Sequence, residues 1–357
     1  MTADWIETHP ALRPTYCDDL DVPALAVGKL HRLGIAIIED GASRAVRLPV
    51  LVARGTDDGP IVGLTAAVHG NELNGISAIH ALFRRIDPAR LRGTVVGVPI
   101  ANIPAFVRHQ RRYPDLEDLN TVFPGKPNGN ESSIYAHRLL TRVVNRFDVL
   151  LDLHTASFGR VNSFYVRADL SNATTAHLAR LVGAEIIVHN PSRESTLRGA
   201  AENLGIPAVT VEIGDPHTFD ADLIRQSRIG LRDILEELGM VEPDPEHAVG
   251  TAVECVKSSW LYTDTGGMLT VLPACATQVS AGQEIARLVD PWGQLLRTYR
   301  APHDGVVIGK SENPVARSGS RILHLGVVGE VAIDRDVPSL DRIRVGGVRR
   351  GTSTRKP

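Results

Sequence analysis

Apolar residues dominate three stretches of the chain, 60–68, 147–155 and 208–214, in the continuous manner of strands buried on both faces. Each ends at a turn. Between and after them the period changes to that of a helix. Leu73, Ile76, Ile79 and Leu82 predict a helix over 71–86, and Ile134, Leu139, Leu140 and Val143 one over 132–145. Further helices are expected over 174–182 and 220–238, and further strands over 35–38, 47–52, 93–99 and 185–188. Strands alternating with helices predict an α/β domain with a mixed or largely parallel sheet. The stretch 101–131 has neither period and is rich in Pro, Gly, Asn, Arg and Asp, which in a compact domain points to a functional loop.

After Met240 the helical period disappears. Glu242-Pro243-Asp244-Pro245 has the composition of a linker, and short strands beyond it are punctuated by Gly266-Gly267, Gly282, Gly293, Gly305 and Gly319. The expected organisation is a catalytic domain over 1–241, a C-terminal all-β domain over 246–340 and a tail over 341–357. A chain of 357 residues can bury a core of that size.

Composition narrows the function classes. With 43% apolar and 22% charged residues the chain is globular, and a net charge of −2 leaves no electrostatic footprint for nucleic acid or an anionic membrane. The short basic tail from Arg349 to Lys356 reads as a solvated terminus. No signal peptide is expected from Met1-Thr2-Ala3-Asp4-Trp5, and no apolar run approaches the roughly 20 residues that span a bilayer. Cys17, Cys255 and Cys275 are too few and too scattered for a disulfide framework, which suits a reducing cytoplasm.

The chemistry gathers at the strand ends. His69 and Glu72, in Val68-His69-Gly70-Asn71-Glu72, lie three residues apart where the 60–68 strand turns into a helix, so both side chains can converge on one point. Alone, a His-x-x-Glu pair is more readily a solvated surface feature. The 147–155 strand supplies a third donor, His154, and parallel strands deliver ligands at their carboxyl ends. His69, Glu72 and His154 make the two-histidine, one-carboxylate set of a catalytic zinc site, expected to hold one zinc ion per chain. Glu212, ending the 208–214 strand, is the best candidate general base; the competing reading is a structural carboxylate paired with an arginine. An oxyanion needs a positive donor. Of Arg108, Arg111 and Arg112, Arg112 is the first choice, and surface positions are expected for the other two. Asn120 and Thr121 could bind substrate, Asp118 could orient His69 through its second ring nitrogen, and His217 could line the pocket.

His69-Gly70-Asn71-Glu72, Asp118-Leu119-Asn120 with Phe123-Pro124-Gly125, Asp152-Leu153-His154-Thr155 and Thr210-Val211-Glu212-Ile213-Gly214 occur in one order over about 50–240. In this the chain resembles the succinylglutamate desuccinylase/aspartoacylase family of the wider zinc carboxypeptidase clan. The resemblance implies a zinc-exopeptidase-like catalytic domain and a zinc-dependent amidohydrolase that deacylates an N-acyl amino acid or similar small amine. It implies His69, Glu72 and His154 as ligands, Glu212 as the catalytic carboxylate, and Asn120 and Arg112 as substrate or oxyanion contacts. One position departs from the family pattern: the arginine after Asp-Leu-Asn is Thr121 here. A threonine cannot grip a carboxylate bidentately. Either Arg160, Arg167, Arg193 or Arg198 takes that role, or the substrate lacks a carboxylate there. Two rivals stand beside this reading: a metallo-carboxypeptidase acting on a peptide, and a non-catalytic binding protein on the same fold. The β-rich tail has two open roles, shaping the mouth of the site and making homo-oligomer contacts.

Overall fold

A computed structural model of the chain describes residues 13–248, 250–333 and Ile343. The expectations for the first residues and for the basic tail therefore lie outside the described residues. Among those described, no helix is long and apolar enough to cross a membrane.

The fold is mixed α/β, built on one 14-stranded sheet. Its centre is four parallel strands in the spatial order Arg92–Val98, Asp57–Ala66, Val149–His154 and Ala208–Ile213. These are the apolar runs of the sequence, and Val149–His154 and Ala208–Ile213 are buried at every position. On one side the sheet continues antiparallel through Ala45–Arg54 and Lys29–Glu39. On the other, Phe164–Ala168 pairs antiparallel with Ala208–Ile213 and is followed by Ile186–His189.

Alternating strand residues feed two apolar layers. Leu64, Leu151 and Leu153 pack with Ile79 and Leu82 of helix Asn74–Phe83 and Ile234 of helix Ala221–Glu237. Val96, Val98 and Leu150 pack on the opposite face with Tyr135 and Leu139 of helix Glu131–Arg142 and Leu197 of helix Leu197–Asn203. Phe147 lies so close beneath the sheet that a Cβ on Gly63 would meet its ring at 2.0 Å.

The residues after Met240 do form strands, and they do not stand apart from the main sheet. Val253–Tyr262 pairs parallel with Ile186–His189, and Arg321–Val328 and Gly305–Ser311 extend the sheet from there. A second, 4-stranded sheet packs its Leu269, Ile285 and Leu288 against Val307, Leu323 and Leu325. The short strand Arg160–Asn162, which follows His154 in the chain, pairs with Gly305–Ser311, bringing the C-terminal strands close to the carboxyl end of the His154 strand.

Candidate metal centre and active site

The helix expected from 71 begins at Asn74, so His69 and Glu72 lie on the turn before it. Convergence comes from that turn: the Glu72 N–H donates to the His69 carbonyl at 3.1 Å. The turn is fastened from the neighbouring strand end. Ala101 N–H and Asn102 N–H donate to the Ala66 and Ala67 carbonyls at 2.8 and 3.1 Å, and the Asn102 amide donates to the Val68 carbonyl at 3.0 Å. Only glycine fits at position 70, because a Cβ there would lie 2.2 Å from the Ala105 carbonyl carbon. Asn74 ties this turn to the third strand by donating to the Ile213 carbonyl at 2.8 Å.

His69 Nδ1 lies 2.8 Å from Glu72 Oε1, and His154 Nδ1 lies 2.9 Å from Glu72 Oε2. All three side chains are buried, and one donor atom from each lies within 4.8 Å of the others. The far side of each imidazole meets a carboxylate. His69 Nε2 is 3.0 Å from Asp118 Oδ1, and His154 Nε2 is 2.8 Å from Asp152 Oδ2, which also accepts from Thr65 Oγ1 through its other oxygen at 2.7 Å. Carboxylates behind both rings fix them with Nδ1 facing inward, the arrangement that makes histidines good metal ligands. The group could hold a metal ion. The same donors already draw a cationic nitrogen: Arg111 Nη1 lies 2.9 Å from Glu72 Oε1 and 3.2 Å from His69 Nδ1.

The electrostatics fit that role. Burial opposes charge on Glu72, but the two imidazoles outweigh it and hold its carboxyl well below the usual range. Burial likewise opposes a cationic His154, yet Asp152 and Glu72 push its pKa well above that of an ordinary imidazole. Asp118 is lowered against its burial by His69 and Arg111. Positive charge is thus strongly favoured between these groups, and a metal ion would take the place of the imidazolium proton. A second acid–imidazole group, Asp233, Glu236 and His247, lies nearer the surface and is tied up locally, Asp233 accepting from the Ala248 N–H at 2.7 Å.

Glu212 is the register partner of His154 across the parallel pair, so the two share a sheet face. Its carboxylate lies 3.4 Å from Arg167 Nε and accepts from Asn162 Nδ2 at 3.3 Å. Glu212 is thus paired with an arginine and lines the same cavity as His69, Glu72 and His154. These groups line one cavity of about 190 Å³, together with Arg111, Asn120, Ser157 and Arg160.

Four side chains lie elsewhere than the sequence suggests. Arg112 does not enter the site; it is exposed and donates to the Leu116 carbonyl at 2.8 Å. Its neighbour Arg111, expected at the surface, is the arginine that enters, pairing with Asp118 through Nε and Nη2 at 3.1 and 2.9 Å and touching Ser157 Oγ. Thr121 is exposed, with its hydroxyl on the Asp118 carbonyl, and lies outside the cavity lining. His217 is exposed too, 3.4 Å from the Asn71 amide and edge-on to Phe158. Asn120 does line the cavity, but its side-chain oxygen accepts from the Leu197 N–H at 2.8 Å. Of the arginines considered in place of the one absent at Thr121, Arg160, Arg167 and Arg198 line the cavity and the exposed Arg193 does not. Sequence reasoning assigned nothing to Asp152, Ser157, Tyr165 or Trp260. Asp152 had a usable signal, since it stands two residues before His154 on one strand and so shares its face.

Two imidazoles and a carboxylate at the ends of adjacent parallel strands, with a further carboxylate beside them, form a donor group that could hold a metal ion. Residues 58–238 match the Succinylglutamate desuccinylase/Aspartoacylase catalytic domain, and the chain belongs to that family. It is 29% identical over 311 residues, 82% of its own length and 88% of the relative's, to an N-alpha-acetyl-L-2,4-diaminobutyric acid deacetylase of Halomonas elongata. A succinylglutamate desuccinylase of Pseudomonas aeruginosa is 27% identical over 224 residues, 55% of this chain and 67% of that one. A succinylglutamate desuccinylase/aspartoacylase from Rhodobacter sphaeroides shares the fold with TM-score 0.79 at 24% identity, over 88% of this chain and 98% of that one. So does an ectoine utilization protein from Ruegeria pomeroyi, with TM-score 0.76 at 22% identity over 85% and 98%.

Proposed function

We propose that this chain is a zinc-dependent amidohydrolase of the zinc carboxypeptidase-like clan that removes the acyl group from an N-acyl amino acid or related small acylated amine. The observation that carries the reading is the register of Glu212 with His154, which sets a carboxylate beside the buried His69–Glu72–His154 donors in one cavity. His69, Glu72 and His154 would hold the zinc ion, which when bound would supply Lewis-acid polarisation of the scissile carbonyl and an acidified water. Glu212 takes a proton from the attacking water and returns it to the leaving nitrogen, so its carboxylate is regenerated in each turnover. The new C–O bond and the broken C–N bond release a carboxylic acid and an amine. Arg111 provides the positive donor for the oxyanion, the role first given to Arg112. Arg167 and Asn162 aim Glu212, Asp118 and Asp152 aim the two imidazoles, and Asn120 offers its amide N–H groups to the substrate.

A cavity of about 190 Å³ suits a small substrate. The deacetylase and desuccinylase relatives named above support amide chemistry on small acylated compounds. We assign this chemistry to 1–241 and treat 246–340 as a β-rich unit with 341–357 as a tail; the three free thiols suit a cytoplasmic protein. The test is release of primary amine from a panel of N-acyl amino acids, acylated diamines and short peptides. Chelator-sensitive release from the acyl amines supports the proposal. Release from peptides alone turns it into a carboxypeptidase, and no release from any compound leaves a binding protein.

A further inference from the structure

Asn162 lies on the short strand Arg160–Asn162, and the sheet partner of that strand is Gly305–Ser311 of the C-terminal strands. Asn162 pairs with Gly309, Val161 with Lys310 and Arg160 with Ser311. Flanking bonds extend the grip. The Ser163 N–H and hydroxyl both donate to the Ile308 carbonyl at 2.9 Å, and the Glu312 N–H donates to the Gly159 carbonyl at 2.9 Å. The segment 159–163 is therefore seated by residues 308–312, which lie outside the 58–238 family match.

What reaches Glu212 from this segment is the Asn162 amide, whose Nδ2 donates to Glu212 Oε2 at 3.3 Å. The main chain of Asn162 is fixed as well, its N–H bonded by the carboxylate of Asp215 on the loop that follows the Glu212 strand. The other end of the amide rests on Gly309. A Cβ at 309 would stand 2.4 Å from Asn162 Oδ1 and 2.9 Å from the Val161 carbonyl oxygen. Gly309 does not have the left-handed φ that favours glycine. The position therefore depends on the missing side chain and not on backbone freedom, as where another part of the chain approaches a strand closely. A register shift between Val307 and Gly309 sets this point of the strand off from its regular neighbours.

We propose that Gly309 is a positioning residue for the base: it leaves the space in which the Asn162 amide is seated, and that amide aims Glu212. This rests on the deacylase reading, in which Glu212 takes the proton of the attacking water. A side chain at 309 meets a main-chain carbonyl and the end of a side chain, and the side chain is the one that can give way. Asn162 then leaves Glu212, whose carboxylate keeps Arg167 as its remaining partner. The C-terminal strands thereby act on the chemistry through one strand pairing, without themselves supplying the base.

The test compares Gly309→Ala, Asn162→Ala and the double variant on the metal-loaded full chain, by amine release from the best acyl amine of the panel above. Gly309→Ala and Asn162→Ala should each keep metal and KM while losing roughly 10- to 100-fold in kcat, the scale of a misaimed group. The double variant should lose no more than Asn162→Ala, because no amide is left to displace. A folded Gly309→Ala protein with wild-type kcat, or losses that multiply in the double variant, overturns the proposal. Where Gly309→Ala does not fold, Asn162→Ala decides: a loss in kcat alone supports the seat, and wild-type kcat overturns it.

The Asn162 side-chain amide also gives a readout that needs no turnover. Its magnetic-resonance signal in isotope-labelled protein is identified by its loss in Asn162→Ala. That signal should respond to Glu212→Gln in the wild-type background and not in the Gly309→Ala background. The same response in both backgrounds, or none in either, overturns the positioning role. A wild type that releases no amine while the signal behaves as expected supports the seating of Asn162 by Gly309 and refutes the deacylase.

Discussion

His324 is 5% exposed. It stacks on Trp260, meets the edge of the Tyr165 ring at 6.4 Å and bonds Ser258. The charged groups facing it are Arg167, Arg160 and Arg321, all cationic. Burial first, and those arginines second, push its pKa down to about 3 from 6.5. The unfolded chain therefore binds a proton at this histidine over a range of pH in which the folded chain refuses it. Stability from this site is fully present above pH 6.5 and is lost as pH falls from there toward 3. Each pH unit inside the window is worth about 1.4 kcal/mol, so going from pH 7 to pH 5 should cost about 2 kcal/mol. His324→Gln keeps a donor for Ser258 and removes the titration. Urea unfolding of the wild type and His324→Gln at pH 7 and pH 5 tests this, since every other ionisable group is common to the two proteins. The variant should lose about 2 kcal/mol less than the wild type over that step. Equal losses would mean that His324 does not carry this pH dependence.

Two further outcomes are expected. Glu212→Gln should keep its metal and lose roughly 10²- to 10⁴-fold in kcat; a variant retaining most of its turnover would remove Glu212 as the base. Asp152→Asn, which takes the carboxylate from behind His154, should weaken metal affinity roughly 10- to 100-fold in a competition titration with a chelating dye. Unchanged affinity would make Asp152 a packing residue only.

How far the sequence could be read depends on the kind of signal each element carries. The three strands that build the site are legible because burial on both faces leaves an apolar run, and chemistry placed where those runs stop is legible with them. The detailed shape of the turn at 69–73 is not, because it comes from Asn102 and from Ala105 of the short helix Ile103–Phe106. Phe164–Ala168 escapes because it alternates too briefly, with Arg167 turned into the cavity. Arg111 and Arg112 cannot be told apart in a loop without a period, where only the tertiary position of Asp118 selects one of them. The strands after Met240 read as all-β, but their parallel pairing of Val253 with Ile186 is long-range and has no local signature. That pairing is what brings Trp260 to the site, so the source of one cavity wall was hidden.

The proposed activity requires His69, Glu72 and His154 to hold a catalytic metal. Elemental analysis of the purified full chain, beside His154→Ala and Arg112→Ala, tests this when amine release is followed on the same samples. About one zinc per wild-type chain is expected, the stoichiometry of a three-ligand site. His154→Ala should lose both metal and turnover, and Arg112→Ala, whose side chain lies outside the cavity, should retain both. A wild-type chain that neither carries nor takes up metal, or one that hydrolyses acyl amines undiminished without it, would rule out a catalytic metal at these residues.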